Sequence, residues 1–459
     1  MEPSIIPPSA GLAPEAAPPA RSRPSLPLWS IVLLAVVAGL AVGRFVTAGG
    51  DEPQRATPTP LAQGQAESIP ALEQRVAANP DDLGAWQTLG GVYVARAAEV
   101  GDPSFYALAE RALARAEELA PGDPATLLGK GQLDLALHRF PEALALGEQV
   151  VAALPGSADA LAVLVDAQVE LGRYDEAEVS LQRMLDARPG LPALARTSYL
   201  RELHGDLPGA VEAMTRAESA GSAPLDRANV AALLGSLHFR QCDLEAAADS
   251  YDRALEAGPA LVLAEVGRAR VLAAQGEVPE AIGALEQVVE RFPAPEAVIL
   301  LADMQARQGL GAAEETYALV GAIAALQEEA GQIVDLEMAV FEADRGEDPA
   351  RALELATRVH AARPDTVYAA DALAWARLRA GDAAGAVAPM ESALRLGTSD
   401  PLVRYHAVEV FLAMGDTDRA RTELAQALSA TPWFSFRHHD RVVALADELG
   451  VTPPVRTGG

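Results

Sequence analysis

A single cysteine, Cys242, in a chain of 459 residues rules out an intramolecular disulfide and a CxxC zinc site. Aromatic residues are 5% of the chain and strand-forming runs are sparse, so an all-α architecture is expected. Positive charge is scarce as well. Lys and Arg total 36 against 64 Asp and Glu, a net charge of −28. Nucleic acid is held by neutralising phosphates with Lys and Arg, so this balance argues against it as a partner. The same balance argues against docking on anionic lipid headgroups. The seven histidines (His138, His204, His238, His360, His406, His438 and His439) are scattered, and none forms an HExxH pattern. His438-His439-Asp440 could attract a metal, but adjacent residues on a helix point in different directions, so no metal is assigned. No GxGxxG, phosphate-binding GxxxxGK or GxSxG run lies in a strand–helix setting. Neither an enzyme nor a cofactor is expected.

What the chain does contain is a period. Ala109, Ala143 and Ala177 fall 34 residues apart, and so do Pro121, Pro155 and Pro189. The register returns at Ala247 and Ala281 with Pro259 and Pro293, and again at Ala352, Ala386 and Ala420 with Pro364 and Pro432. A fixed spacing of this size means stacked helical hairpins. Small residues on first helices (Gly90, Gly131, Gly235) facing Ala109, Ala143 and Ala247 allow close helix approach, and Leu113, Leu181, Leu285 and Leu424 fill the flanks. Each Pro closes a second helix. Gly172, Gly276, Gly381 and Gly415 stand where first helices end, as expected past a helix C-terminus.

The first hairpin reads Trp86-Gln-Thr-Leu89-Gly90-Gly-Val-Tyr93, then Ala109, Leu113, Ala116 and Pro121; the third carries Leu171-Gly-Arg-Tyr174-Asp-Glu-Ala177, Leu181, Met184 and Pro189. These residues resemble the tetratricopeptide repeat (TPR), over residues 68 to 450. The resemblance implies a right-handed superhelical solenoid of about ten hairpins, at 83–121, 124–155, 158–189, 191–222, 228–259, 262–293, 296–331, 333–364, 367–398 and 401–432. About seven extra residues in the first hairpin, around Val100–Ser104, suggest a protruding loop. The seventh hairpin, around Gly309-Leu-Gly311, lacks the motif. Helices at 67–78 and 438–449 are expected to cap the ends within a solenoid spanning 67–450, with Trp433, Phe434 and Phe436 tucked beneath the second cap. Cys242 falls in the turn of the fifth hairpin as a packed small residue, and residues 451–459 form a disordered tail. Membrane-anchored TPR proteins with a four-cysteine metal knuckle are a poor match to a chain with one cysteine.

Ahead of the repeats, residues 1–25 are a Pro/Ala-rich tail expected to be disordered. Leu28 to Gly43 then runs without a charge, and the segment 26–47 is long enough to cross a bilayer, with Trp29 and Phe45 at its edges. The expected architecture is therefore one transmembrane signal-anchor helix, a flexible linker over 48–66, and the solenoid. Cleavage after Val46-Thr-Ala48 is the competing reading, which would release a secreted protein. Arg21 and Arg23 upstream nearly balance Arg44 and Arg55 downstream, so a cytoplasm-facing adaptor of reversed topology also stays open. The favoured orientation places the repeats on the periplasmic side of a bacterial inner membrane.

TPR proteins resemble one another in binding partners on the inner faces of their first helices. The repeat positions that point inward include Tyr199, Phe239, Arg240, Arg270, Met304, Arg307, Phe341, Arg345, Trp375, Arg379 and Tyr405. Arginines among aromatics suit an extended peptide bearing carboxylates. The alternative is that these arginines pair with the solenoid's own acids. The Lys and Asn of clamps for chaperone tails are missing, since Leu128, Gln132, Ala162 and Asp166 stand at matching positions. The expected function is a membrane-tethered scaffold that binds a protein or peptide and supports a cell-envelope complex.

Overall fold

The junction inside each hairpin repeats one device. A residue in the left-handed backbone region ends the first helix, and in five of the ten hairpins an Asp side chain caps the second. Gly205, Gly381 and Gly415 have φ of 78°, 87° and 77°. The next residues, Asp206, Asp382 and Asp416, accept backbone N–H groups of Gly209, Gly385 and Arg419, satisfying donors that a helix start leaves open. His138 (φ 59°) and Cys242 (φ 61°) take the same backbone conformation at their junctions.

The computed structural model describes residues 68–452, whose regular elements are all helices. Helix α1 (Ile69–Ala78) precedes ten antiparallel pairs. They are α2 (Leu83–Val100) with α3 (Ser104–Leu119), α4 (Pro124–Ala136) with α5 (Phe140–Ala153), and α6 (Ala158–Glu170) with α7 (Tyr174–Ala187). Next come α8 (Leu191–Leu203) with α9 (Leu207–Ala220), α10 (Pro224–Arg240) with α11 (Leu244–Ala257), and α12 (Val262–Gln275) with α13 (Val278–Arg291). The series ends with α14 (Pro295–Arg307) and α15 (Ala313–Glu329), α16 (Asp335–Arg345) and α17 (Pro349–Ala362), α18 (Val367–Arg379) and α19 (Ala383–Leu394), and α20 (Pro401–Ala413) and α21 (Thr417–Ala430). A final helix, α22 (His439–Leu449), ends at Gly450 in the left-handed region. The fold is an all-α, TPR-like solenoid.

Two expectations are corrected. The extra residues of the first hairpin lengthen α2 to 18 residues and α3 to 16, so only Gly101–Pro103 separates them and no loop protrudes. Apolar positions Tyr93, Val94, Ala97 and Tyr106 are buried there, and that burial holds the added turns in helix. The small residues also work differently from a glycine-on-alanine contact. A Cβ on Gly90 would lie 2.6 Å from Leu113, and one on Gly267 would lie 2.1 Å from Tyr251, so the glycines house the large side chain one turn beyond each alanine. The segments 1–25, 26–47 and 48–66 lie outside the described residues. Among the described residues no helix is long and apolar enough to cross a membrane.

The solenoid also meets itself. Loops within early hairpins touch loops between late ones, at a nearly constant separation. His138 Nδ1 lies 2.7 Å from the Ile333 carbonyl oxygen, 195 residues on, and the Ile333 amide donates to the Leu137 carbonyl at 3.2 Å. Arg363 pairs with Glu170 at 3.1 Å, and the Val367 amide donates to Tyr174 Oη at 3.1 Å, each 193 residues apart. Close to six repeats therefore complete one turn of the superhelix, and its next turn abuts the first edge to edge. Two glycines make this approach possible. A Cβ on Gly172 would lie 2.3 Å from the Asp365 carbonyl carbon, and one on Gly205 would lie 2.4 Å from the Gly397 oxygen. Both have positive φ, so only glycine fits on either count.

Candidate inner-face site

First helices of a helical-hairpin stack line its inner side, and there the chain places its own residues. Between α21 and α22, Thr431 to His438 contain no regular helix and turn back against the first helices. Phe436 is buried in the cluster of Val266, Ala269, Leu301 and Met304 from α12 and α14. Trp433 packs on the same cluster and on that of Phe239 and Leu263. It also stacks on His439 at 3.7 Å. Arg437 reaches Asp303 at 2.9 Å and lies over the Tyr317 ring. Phe434 lies 6.0 Å from Tyr405. The three aromatics thus fill the inner face instead of sitting beneath the cap alone.

The eleven inward candidates divide by what they meet. Phe239, Met304, Trp375 and Tyr405 are buried, whereas Tyr199 and Phe341 are half-buried. Burial pushes the Tyr199 hydroxyl well above its ordinary pKa, with Tyr368 and Glu170 adding to the shift. Arg307 bonds Asp440 at 2.7 Å and lies 5.3 Å over the Trp433 ring. Trp375 and Tyr405 meet His438, at 5.9 and 4.8 Å between rings. Met304, Arg307, Trp375 and Tyr405 are thereby gathered around the returning segment. Phe239 joins them through its cluster with Trp433.

The other arginines have internal partners. Arg240 pairs with Glu202 and stands 3.7 Å from Asp400 across the seam. Burial opposes its charge, but Glu202 and Asp400 hold its pKa above the ordinary arginine value. Arg270 bonds Glu296 at 2.8 Å. Burial outweighs this arginine and raises the Glu296 carboxyl to about 7. Arg345 bonds Glu314 at 2.8 Å and Glu347, and lies 4.2 Å over Tyr317. Arg379 donates to the Ala343 carbonyl at 3.1 Å.

At the centre of the gathered set stand three residues that sequence spacing did not connect. Asp344 on α16, His406 on α20 and His438 on the returning segment present ligand atoms that all lie within 4.8 Å of one another. His438 Nε2 is 3.0 Å from Asp344 Oδ1, which also accepts the Trp375 indole N–H at 2.9 Å. His406 Nδ1 is 3.0 Å from both oxygens of Asp371, and its ring stacks on Trp375 at 4.2 Å. Burial alone would raise Asp344, but His438, His406 and the indole together hold its carboxyl low. Burial likewise lowers His406, yet Asp371, Asp344 and Asp400 raise it overall. The pair His438-His439 diverges as adjacent residues should, since His439 Nδ1 lies 3.0 Å from the Pro432 oxygen instead.

Two family models described as tetratricopeptide repeat match the chain, one over residues 134–197 and the other over 201–261 and 266–329. No curated protein matches it. Among solved structures, TTC0263, a thermophilic TPR protein of Thermus thermophilus, is 23% identical with a TM-score of 0.38, covering 42% of this chain and 99% of its own. The human IFIT1 dimer with PPP-AAAA is 14% identical with a TM-score of 0.46, covering 72% and 77%. YrrB, described as a TPR protein with an unusual peptide-binding site, is 18% identical with a TM-score of 0.28, covering 43% and 97%. With the 34-residue register and the paired helices, the two family models identify the repeats within residues 134–329 as tetratricopeptide repeats.

Proposed function

We propose that this protein is a protein-interaction scaffold, held in a bacterial inner membrane by residues 26–47, whose repeats lie on the periplasmic side and support a cell-envelope complex. The observation that carries the binding role is the inner face itself. It holds a non-helical segment, residues 431–438, by aromatic burial and charge pairing, which are the contacts a partner peptide would use. Tyr199, Phe239, Arg240, Arg270, Met304, Arg307, Phe341, Arg345, Trp375, Arg379 and Tyr405 make up this peptide-binding face. Arg307 and Arg345 are its exchangeable members, because their acidic partners Asp440 and Glu314 are largely exposed. Exposed pairs contribute only about 0–1 kcal/mol, so carboxylates of a partner can replace them. The uncharged run Leu28–Gly43 and the Pro/Gly/Gln linker support the tether.

Protease accessibility in intact and permeabilised cells tests this reading, with a tag on the N-terminus. Repeats digested once only the outer barrier is open, with the tag still in the membrane, are the expected result. Repeats protected until the inner membrane opens would place them in the cytoplasm and overturn it. Loss of the first 48 residues would make the protein a secreted one.

A further inference from the structure

We propose that Asp344, His406 and His438 form a binding site for one divalent transition-metal ion of the zinc class, which clamps the returning C-terminal segment onto the inner face. His406 Nε2 is the observation that points to a ligand. Its residue is fully buried, and this nitrogen has no hydrogen-bond partner. A buried polar atom left unpaired has given up water without gaining a partner, and a metal ion removes that cost. The other ring nitrogen, Nδ1, faces both oxygens of Asp371 and donates to them, so that Nε2 is the nitrogen whose lone pair a metal would take. Carboxylate, imidazole and metal in a row is how metal-binding histidines are commonly oriented.

The geometry needs only a modest contraction. Zinc sits about 2.0–2.2 Å from nitrogen and oxygen ligands, so tetrahedral ligand atoms lie about 3.3 Å apart. His438 Nε2 and Asp344 Oδ1 are already at 3.0 Å, and the remaining separations reach at most 4.8 Å. His438 belongs to an irregular segment, which can move inward without disturbing a helix. On binding, each imidazole gives its Nε2 lone pair to the metal and keeps its one proton on Nδ1, and a ring that was doubly protonated releases its second proton to solvent. The charges of Asp344 and Asp371 match those of one divalent cation. Two imidazoles with one carboxylate favour zinc, cobalt or nickel over magnesium or calcium, which prefer oxygen. A fourth position is left for water. The three ligands come from α16, α20 and the segment after α21, so occupancy ties that segment to two first helices.

The test uses the full chain and cobalt(II) as the probe, because tetrahedral cobalt absorbs in the visible where the protein does not. One cobalt per chain, with such bands displaced by zinc, is expected. His438→Gln should weaken binding at least about 100-fold, and Asp371→Asn about 10–100-fold, as is usual when an outer-shell partner is lost. His439→Gln should leave it unchanged, since that ring faces Trp433. Metal should also slow proteolysis within residues 431–438 in the wild type but not in His438→Gln. Circular dichroism checks that each variant keeps its helices. No cobalt bands in the wild type, or equal affinity in wild type and His438→Gln, would overturn the proposal whether or not any variant folds.

Discussion

The solenoid touches itself in two places, and the two contacts are made of different material. Most hydrogen bonds across the seam between superhelical turns involve a backbone atom on at least one side. The Ile333 amide donates to the Leu137 carbonyl, the Val367 amide donates to Tyr174 Oη, and Arg395 donates to the Gly172 carbonyl at 3.4 Å. The returning segment, in contrast, is held by side chains: Trp433, Phe436, Arg437 and His438. A backbone contact across glycine has no slack, because any Cβ collides with atoms that cannot rotate away. A side-chain contact can be exchanged for another ligand offering the same chemistry. The seam therefore fixes the superhelix, whereas the segment packs on the first helices by its side chains.

The sharpest way to break this contrast is Gly172→Ala combined with Gly205→Ala. Each places a non-glycine residue at positive φ, costing about 1–2 kcal/mol, and adds a clash with backbone. A loss of about 4 kcal/mol or more is expected in denaturant unfolding. Gly276→Ala is the control, with φ 99° but open space around its Cβ, and it should lose only the conformational part. Equal losses per site in both proteins would mean that the seam adds nothing.

Next in size is Phe436→Ala. Removing a buried aromatic costs about 3 kcal/mol. Here the loss should appear locally, as faster cleavage within residues 431–438, while the loops at 172 and 365 stay protected in hydrogen exchange. Simultaneous loss of protection at both places would join what is separated above.

A gradual effect is expected with pH, from one carboxyl on each side of the comparison. Glu170 at the seam and Glu296 on the inner face are both raised to about 7 by burial, which outweighs Arg363 and Arg270. The folded state thus holds these protons more tightly than the unfolded state, whose carboxyls titrate near 4.5. Their stabilising effect is complete below about 4.5 and is lost as pH rises towards 7. The melting temperature should climb between pH 7.5 and 5.5, and Glu170→Gln or Glu296→Gln should each flatten that climb. The smallest change is expected for Arg345→Ala, below about 1 kcal/mol, because its partners Glu314 and Glu347 are exposed.

The helical hairpins were legible because their signal is local and repeated. Alanine and proline recur at a 34-residue spacing within runs of hairpins, since each hairpin packs mainly on its neighbours. Neither self-contact had such a signal. Gly172 reads from sequence as a helix terminator, and its closeness to Asp365 depends on the pitch of the whole superhelix, which no short pattern encodes. Asp344, His406 and His438 are likewise far apart in sequence and share no spacing motif. The inward positions were found by repeat register alone, which marks a face without saying what fills it. In the first hairpin, Val100–Ser104 contains Gly and Pro, and that local signal hid the longer helices around it.

Residues 433–438 of the chain itself pack on the first helices α12 and α14. A photoreactive benzoylphenylalanine in place of Phe436, followed by mass mapping of the adduct, tests it most directly. Attachment within residues 262–307 of the same chain is the predicted result. Attachment to another polypeptide, or only to the neighbouring helices α21 and α22, would contradict it.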